Sequence, residues 1–392
     1  MEQSGAQNAP DRPCEVRAEP ADHKGVAVRL KLGVIWGTMT QTAENLSRGT
    51  HSGAEMLGER SVTDVGTRQW TDGDRARALE EVLEITTSLA GAIGTVIEGK
   101  PEVIQTALTA LLAEGHLLIE DVPGVGKTML AKTLARSIDC TVRRIQFTPD
   151  LLPSDVTGVS MFNQDVRAFE FRPGAIFANV VVGDEINRAS PKTQSAMLEC
   201  MEEGQVTVDG RTYTLPHPFI VMATQNPLEM EGTYPLPEAQ RDRFMARLSL
   251  GYPSGRSEMD MLASHGDHDP LHELRPVTDA ATVSRLIHAV RSVHTSDAIR
   301  QYIVDLATAT RDNAAIRLGV SPRATLHLLR AARAHAALAG RDYVLPDDVQ
   351  ALVAPVWGHR LILTGEAVHA RRGPDEILHG VMNRVRIPAP GF

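Results

Sequence analysis

The stretch DVPGVGKT at Asp121–Thr128 has residue types that could hold a triphosphate. Gly124 and Gly126 would let the backbone curl so that several N–H groups converge on an anion. Lys127 could reach the β- and γ-phosphates, and Thr128 offers a hydroxyl to Mg²⁺. The following residues, MLAKTLARSI, favour a helix whose N-terminus would face the phosphates. The stretch therefore predicts a nucleotide-binding loop.

One residue departs from the common loop pattern G-x-x-x-x-G-K-[ST], because Asp121 stands where that pattern has its first glycine. The first glycine only begins the curl, and a side chain there would point away from the phosphates. An aspartate is tolerated if its carboxylate accepts hydrogen bonds from local backbone N–H groups, as it does in turns. We therefore interpret the loop as a working variant. The predicted nucleotide-binding residues are Asp121, Val122, Pro123, Gly124, Val125, Gly126, Lys127, Thr128 and Met129.

The run VVVGDEINRA could supply the acids that nucleotide hydrolysis needs. The apolar strand Val180–Val182 leads into Asp184 and Glu185, which places both acids at the carboxyl edge of a sheet, where ligands bind in open α/β folds. Asp184 would hold Mg²⁺ together with Thr128, and Glu185 would polarise the attacking water. The alternative is a pair of solvated acids at a strand end.

A further apolar run, FIVMATQNP, ends in a polar side chain that could belong to the same site. The amide of Asn226 could lie between the two acids and the γ-phosphate and orient the water. The alternative is a turn asparagine, since Pro227 follows it directly. Spacing alone leaves both interpretations open.

The elements that must position these residues follow from the pattern of apolar runs. HLLIE, RRIQF, NVVVGDE and FIVMATQN alternate with helical or irregular pieces, which predicts an α/β fold with a parallel sheet covered on both faces. From about Leu271 the apolar spacing becomes three and four residues, which predicts a smaller all-α domain. We expect a nucleotide-binding core at 74–260 and a helical domain at 261–392. Residues 1–73 would be disordered, or untranslated if Met39 or Met56 is the start.

Composition and charge limit the class of protein. The 392 residues carry a formal net charge of −9, which weighs against nucleic acid as a partner. The three cysteines have no paired spacing, which weighs against a zinc site or a disulfide framework. No apolar run approaches the ~18 residues of a membrane span, and the N-terminus lacks the pattern of a secretion signal. We therefore expect a cytoplasmic protein without an integral membrane segment.

From about Ala76 to Arg386 the chain resembles the MoxR-family AAA+ ATPases, and seven stretches match the signatures of that family in order. They are EDVPGVGKT, FTPDLLPSDVTG, GAIFANVVVGDEINRA, QVTVDGRTYTLP, ATQNP, LPEAQRDRF and SPRA. The EDVPGVGKT form of the loop is usual in that family, so Asp121 is the family's own variant. The resemblance implies a P-loop AAA+ core with β-hairpin insertions, a small all-α lid domain, and ATP and Mg²⁺ as cofactors.

The resemblance also assigns roles to residues outside the loop. Asn226 matches the family's sensor 1, and Arg243 in LPEAQRDRF matches the arginine finger that reaches the neighbouring subunit's site. Arg323 in SPRA matches sensor 2, presented by the helical domain; Ser321 would cap the helix that carries it. Arg241 stands where relatives usually have an apolar residue, so either Arg241 or Arg243 could be the finger. The DRF context favours Arg243.

Two segments match insertions of this AAA+ branch. Gly158–Phe177 resembles a strand insertion within the second helix. Gln205–Leu215 alternates side chains around Asp209–Gly210, which is a strong hairpin signal, and matches the hairpin before sensor 1. In ring-shaped relatives such hairpins face the central channel or the substrate. The alternative is a purely structural hairpin.

The function implied by the resemblance is that of an ATP-hydrolysing chaperone. It would act as a homo-oligomeric ring, expected to be a hexamer, and would remodel or mature a client protein complex or metalloenzyme. The resemblance also implies a partner with a von Willebrand factor A domain. The alternatives are a chelatase-type motor for metal insertion, which the DVPGVGKT and FTPDLLPSD forms disfavour, and a DNA or RNA motor. A non-hydrolysing switch is disfavoured by the Asp184–Glu185 pair.

Overall fold

The computed structural model describes residues 72–122, 124–226, 233–256, 258–259 and 270–388. The chain divides into two units, Met1–Gly66 and Thr67–Phe392, and all described residues belong to the second. Of the predicted extension 1–73, residues 1–71 lie outside the described residues. Pro123 of the predicted loop also lies outside them.

The centre of the molecule is a parallel sheet of five strands in the order β2-β5-β8-β1-β9. The strands of the core are β1 (Leu117–Glu120), β2 (Val142–Gln146), β3 (Gly158–Asn163), β4 (Ala168–Pro173), β5 (Val180–Asp184), β6 (Gln205–Val208), β7 (Arg211–Thr214), β8 (Ile220–Gln225) and β9 (Ala246–Leu248). The predicted parallel sheet is therefore confirmed, and the carboxyl ends of β1, β5 and β8 meet at one edge of it.

Helices cover the sheet and make up most of the C-terminal part. The α-helices are α1 (Asp72–Gly94), α2 (Pro101–Leu112), α3 (Lys127–Ser137), α4 (Pro153–Thr157), α5 (Pro191–Glu203), α6 (Glu238–Arg241), α7 (Pro270–Glu273), α8 (Ala280–Arg291), α9 (Asp297–Arg311), α10 (Pro322–Leu338), α11 (Pro346–Trp357), α12 (Gly365–His369) and α13 (Pro374–Met382). The helical part from Pro270 onward, called the lid below, also contains a short antiparallel pair, β10 (Ile316–Leu318) with β11 (Ile362–Leu363). Within the described ranges, no helix has the length and apolar character needed to cross a membrane.

Alternate residues of each central strand face two different apolar cores. On β1, Leu117 and Ile119 belong to the first core, which α1, α2, α3 and the lid helices complete. Leu118 belongs to the second core, on the opposite face, with α5 and the segments beside the hairpins. Because both faces of β1, β5 and β8 are buried, these three strands are largely continuous apolar runs rather than alternating ones.

The start of α10 is fixed by a cap and by a buried tryptophan. Ser321 Oγ accepts a hydrogen bond from the Ala324 N–H at 3.1 Å, and Pro322 occupies the first turn. The indole Nε1 of Trp357, on α11, donates to the Ala324 carbonyl at 3.0 Å. The predicted cap is therefore confirmed, and Arg323 projects from a helix start with a fixed direction.

Both predicted hairpins form, and they contact each other. β6 and β7 join through Asp209 and Gly210, whose φ values of 50° and 76° suit a two-residue hairpin turn. The β3–β4 hairpin places Phe171 against Tyr213 of β7, with stacked rings whose centroids are 3.9 Å apart. The two insertions thus pack as one unit beside the core.

Candidate active site

The loop after β1 has the backbone conformation that the sequence predicts. Gly124 and Gly126 have φ values of 84° and 93°, a region that favours glycine, and Gly126 immediately precedes α3. Lys127 Nζ donates to the carbonyls of Asp121 at 2.7 Å and Val122 at 3.1 Å. Burial lowers the pKa of Lys127, although the carboxylates around it raise it. A lysine held over a curl of the backbone at a helix N-terminus suits an anion.

Asp121 joins the start of the loop to the segment that follows β9. Its Oδ1 accepts from the Val122 N–H at 3.0 Å, which is the local bond that the sequence predicts. Its Oδ2 accepts from the Ser249 hydroxyl at 3.0 Å and from the Gly251 N–H at 2.7 Å. Burial alone would raise the pKa of Asp121, but the bonds from Gly251, Ser249 and Val122 together hold it below its ordinary value. Asp121 therefore anchors the loop to the segment that follows β9.

The other predicted loop residues differ in their surroundings. Val125 is partly buried against the first core, whereas Met129 is exposed on the first turn of α3. Val122 is half-buried. Their contacts with a nucleotide remain predictions.

A hydroxyl and a carboxylate lie together beside the loop. Thr128 Oγ1 is 3.4 Å from each carboxylate oxygen of Asp184, at the end of β5. Thr224 Oγ1, on β8, is 3.4 Å from Asp184 Oδ1, and Arg144 Nε is 2.5 Å from Oδ2. Oxygen donors of this kind are the ligands that Mg²⁺ prefers. Thr128 and Asp184 therefore fit the ion that the sequence assigns to them.

Glu185 is held at the same edge by its backbone and its carboxylate. Its φ of 58° lies in the left-handed region, which costs a non-glycine residue on the order of 1 kcal/mol. Its N–H donates to Thr224 Oγ1 at 3.0 Å. Its Oε2 accepts from Gln146 Nε2 at 3.0 Å and lies 3.1 Å from Arg188 Nε. These contacts fix the carboxylate next to Asp184.

Asn226 lies at the same edge as the loop and the two acids. It follows β8 directly, and β8 pairs with β5 on one side and with β1 on the other. Its backbone is therefore placed between the ends of the strands that carry Asp184 and the loop. This is the position that an amide needs to contact both the acids and a γ-phosphate.

The two predicted arginines lie together, at the other edge of the sheet. Arg243 precedes β9, whose Ala246 pairs with Leu117 at the amino end of β1. Arg243 Nε is 3.3 Å from Glu202 Oε2, and Arg323 Nη2 contacts Glu202 Oε1. The structure thus brings Arg243 and Arg323 to one carboxylate, and among the hydrogen bonds and ion pairs of the described residues none joins either arginine to the loop of the same chain.

The lid holds the segment that carries Arg243. The Ser321 hydroxyl donates to the carboxylate of Asp242, whose two oxygens lie 2.8 and 2.9 Å from Ser321 Oγ. The buried Arg360 donates through Nη2 to the carbonyls of Asp242 at 3.0 Å and Phe244 at 2.5 Å, and its Nε is 3.2 Å from Asp242 Oδ1. Burial lowers the pKa of Arg360 to about 10, while Asp242 raises it. The backbone on both sides of Arg243 is therefore fixed by lid residues.

Comparisons with known proteins identify the family of the chain. Residues 116–246 match the family model described as ATPase family associated with various cellular activities (AAA), and residues 308–380 match an AAA lid domain. The chain is 51% identical over 296 residues to the uncharacterized protein YeaC of Bacillus subtilis, covering 76% of this chain and 92% of that protein. It is 40% identical over 302 residues to Chaperone MoxR1 of Mycobacterium tuberculosis, covering 75% and 80%. It is 34% identical to Protein MoxR of Paracoccus denitrificans, covering 70% and 87%.

The chain belongs to the MoxR family of AAA+ ATPases. A crystal structure of a candidate ATPase from Cytophaga hutchinsonii is also similar, with 37% identity and a TM-score of 0.74 over 80% of this chain and 98% of that one. The predicted family and the AAA+ fold with its lid are therefore confirmed.

Several contacts of this MoxR-family site were not predicted. Arg144 and Gln146 are two residues apart on β2, so their side chains lie on one face, and Gln146 pairs with Asp184 in the sheet register. This spacing of two polar residues on a strand is the sequence feature from which their contacts with the acids could have been predicted. Ser249, Glu202 and Arg360 had no such signal, because their partners lie far away along the chain.

Proposed function

We propose that this protein is an ATP-hydrolysing chaperone that works as a ring, with each active site formed by two neighbouring subunits. The observation that carries the proposal is the division of the site residues between two edges of one sheet. The loop, Asp184, Glu185 and Asn226 lie at the carboxyl edge, whereas Arg243 and Arg323 lie at the amino edge. Subunits packed edge to edge in a ring would complete each nucleotide site with a neighbour's arginines.

At the carboxyl edge, ATP would bind with its phosphates on the loop. The backbone N–H groups around Gly124 and Gly126 and the ammonium of Lys127 would neutralise the phosphate oxygens. Thr128 and Asp184 would hold Mg²⁺, which would offset negative charge on the phosphates during phosphoryl transfer.

Glu185 would act as the base that orients and deprotonates the attacking water. Its carboxylate already accepts from Gln146 and lies beside Arg188, so it is directed along the sheet edge. Asn226, between the ends of β5 and β1, would hold the same water through its amide.

From the neighbouring subunit, Arg243 and Arg323 would approach the γ-phosphate. A guanidinium presents up to five donors in a planar fork, which matches phosphate oxygens. Charge that develops on the transferring group would be stabilised by both arginines, and such a finger can raise turnover by about 10³-fold or more.

We further propose that hydrolysis remodels or matures a client protein complex or metalloenzyme, with a von Willebrand factor A domain protein as partner. The name of the M. tuberculosis relative, a chaperone, supports the first part. The exposed Phe162 and Phe169 on the β3–β4 hairpin offer an apolar surface of the kind that a protein client could contact. The ring is proposed to be a hexamer and its location cytoplasmic.

Steady-state ATP hydrolysis, measured with and without Mg²⁺, tests the proposed activity. Lys127→Ala should abolish nucleotide binding, since the β/γ charge loses its counter-ion. Glu185→Gln should bind ATP but turn over about 10²- to 10⁴-fold more slowly, because an amide cannot accept the proton of water. If both variants hydrolysed ATP at the rate of the unmodified protein, the assignment of this edge as the active site would be wrong.

A further inference from the structure

Glu202 occupies a position that the proposed reaction leaves without a role. It lies in the last turn of α5, and one carboxylate oxygen faces Arg243 while the other faces Arg323. The three side chains come from three separate elements: α5, the segment before β9, and the start of α10. A carboxylate that joins two guanidinium groups fixes the spacing between them.

We propose that Glu202 is a positioning residue that holds Arg243 and Arg323 as a pair for the phosphate of the neighbouring subunit's nucleotide. This inference rests on the function proposed above and adds to it a residue that touches neither nucleotide nor water.

The backbone around each member of this group is rigid. The Met201 carbonyl, next to Glu202, is bonded to the ring Nε2 of the buried His116 at 2.8 Å. Gly204 then ends α5 in the left-handed conformation, with φ 63°. Arg323 follows a capped helix start, and Arg243 lies between residues that Arg360 binds. The carboxylate therefore joins anchored points rather than flexible ones.

The side chains of Glu202, Arg243 and Arg323 are partly exposed, as a surface that binds another subunit requires. Relative exposures are 42% for Glu202, 29% for Arg243 and 35% for Arg323, so each guanidinium keeps donors that can face outward. An arginine side chain has many rotamers, and much of this rotamer entropy must be lost when it binds a phosphate. Contact with Glu202 restricts both arginines beforehand, which is preorganisation.

The nearby acids do not duplicate this arrangement. Glu202, Arg243 and Arg323 line a cavity of about 700 Å³. Glu114 also lines this cavity, but it lies within ion-pair distance of Arg291 and Arg330 instead. Glu203 also lines the cavity, and none of the ion pairs found among the described residues joins it to Arg243 or Arg323. Glu203 is therefore a matched control on the same helical turn.

The first test compares Glu202→Gln with Glu203→Gln, after thermal melting and sedimentation have confirmed that each variant folds and assembles. Glu202→Gln should reduce kcat for ATP roughly tenfold with KM unchanged, because a misplacement of about 1 Å can cost up to about 10²-fold. Glu203→Gln should leave kcat unchanged. If Glu202→Gln fails to assemble, Glu202→Asp, which keeps the charge, takes its place. Equal kcat values for the Glu202 and Glu203 variants would overturn the proposal.

The second test asks whether Glu202 acts through the arginines. Adding Glu202→Gln to the double variant Arg243→Ala/Arg323→Ala, whose slow residual turnover is followed in single-turnover experiments, should cause no further loss of turnover, since nothing remains to be positioned. An additional tenfold loss in that background would show that Glu202 acts elsewhere, and the proposal would fall.

The third test mixes subunits. A Glu202→Gln subunit keeps its own pocket and a Lys127→Ala subunit keeps its arginine pair, so rings mixed from the two should be more active than either alone. The mixture of Lys127→Ala with Arg243→Ala is the reference. If the reference regains activity and the Glu202→Gln mixture does not, the role given to Glu202 is wrong while the shared site stands. If the reference also fails, the shared site is wrong and this inference fails with it.

Discussion

Lys127 and Arg243 lie at opposite edges of the central sheet. Lys127 begins α3 just after the carboxyl end of β1, whereas Arg243 precedes β9, which pairs in parallel with β1 from its amino end. Their backbones are thus separated by about the length of β1, roughly 13 Å at 3.3 Å per residue. Arg243 is paired with Glu202 at that amino edge, so we expect its finger role to be directed at the nucleotide of a second subunit.

The contacts of Asp121 predict that the more common loop glycine would be harmful here. Asp121→Gly removes the acceptor for Ser249 and Gly251 and so leaves two partly buried donors without their partner. We expect the free energy of unfolding to fall by about 3 kcal/mol or more, since two hydrogen bonds to a charged group are lost and each is worth about 1.5–3 kcal/mol. Urea unfolding measures this change. A variant as stable as the parent would contradict the anchoring role of Asp121.

The lid's hold on the finger segment predicts a contrast between two arginines. Arg360→Met leaves Asp242 without its buried partner and should cost about 3 kcal/mol of stability. Arg372, in an exposed i, i+4 pair with Glu376, serves as the control, and Arg372→Met should cost less than about 1 kcal/mol. Chemical denaturation of both variants gives the two values. Similar losses for the two would rule out Arg360 as the lid's anchor on the core.

The buried His116 predicts a loss of stability in acid. Its Nδ1 accepts from the Val221 N–H at 3.0 Å, so the ring is neutral, and burial lowers its pKa from 6.5 to about 4. Between these two values the unfolded chain binds more protons at this position than the folded chain does, so stability falls as pH falls. The shift corresponds to about 3 kcal/mol at 1.36 kcal/mol per unit.

His116→Asn isolates this contribution, because Asn can still accept from Val221 but does not titrate. When the pH is lowered from about 6.5 to 4, the parent should lose up to about 3 kcal/mol more of its free energy of unfolding than the His116→Asn variant does. Unfolding curves at both pH values provide the comparison. Parallel declines in the two proteins would mean that His116 is not the titrating group.

Features of the site that depend on residues close together in the chain could be predicted from the sequence. The positive φ of Gly124 and Gly126, the strand that ends in Asp184, the hairpin at Asp209–Gly210 and the cap at Ser321 each depend on residues close together in the chain, and the structure shows each of these local features. The roles of the site residues stay predictions. The shared carboxylate of Glu202 could not be predicted, because Arg243 and Arg323 lie 41 and 121 residues away from it. The second anchor of Asp121 is likewise a contact across 130 residues, which only the strand order brings about.

The central claim, that two subunits share each active site, is tested most directly by mixing two inactive variants. Lys127→Ala subunits have an intact Arg243 and a defective pocket, and Arg243→Ala subunits have the reverse. In mixed rings, some interfaces pair an intact pocket with an intact finger, so ATP hydrolysis should return in part. If rings shown by mass spectrometry to contain both variants remained inactive at every ratio, the shared active site would be contradicted.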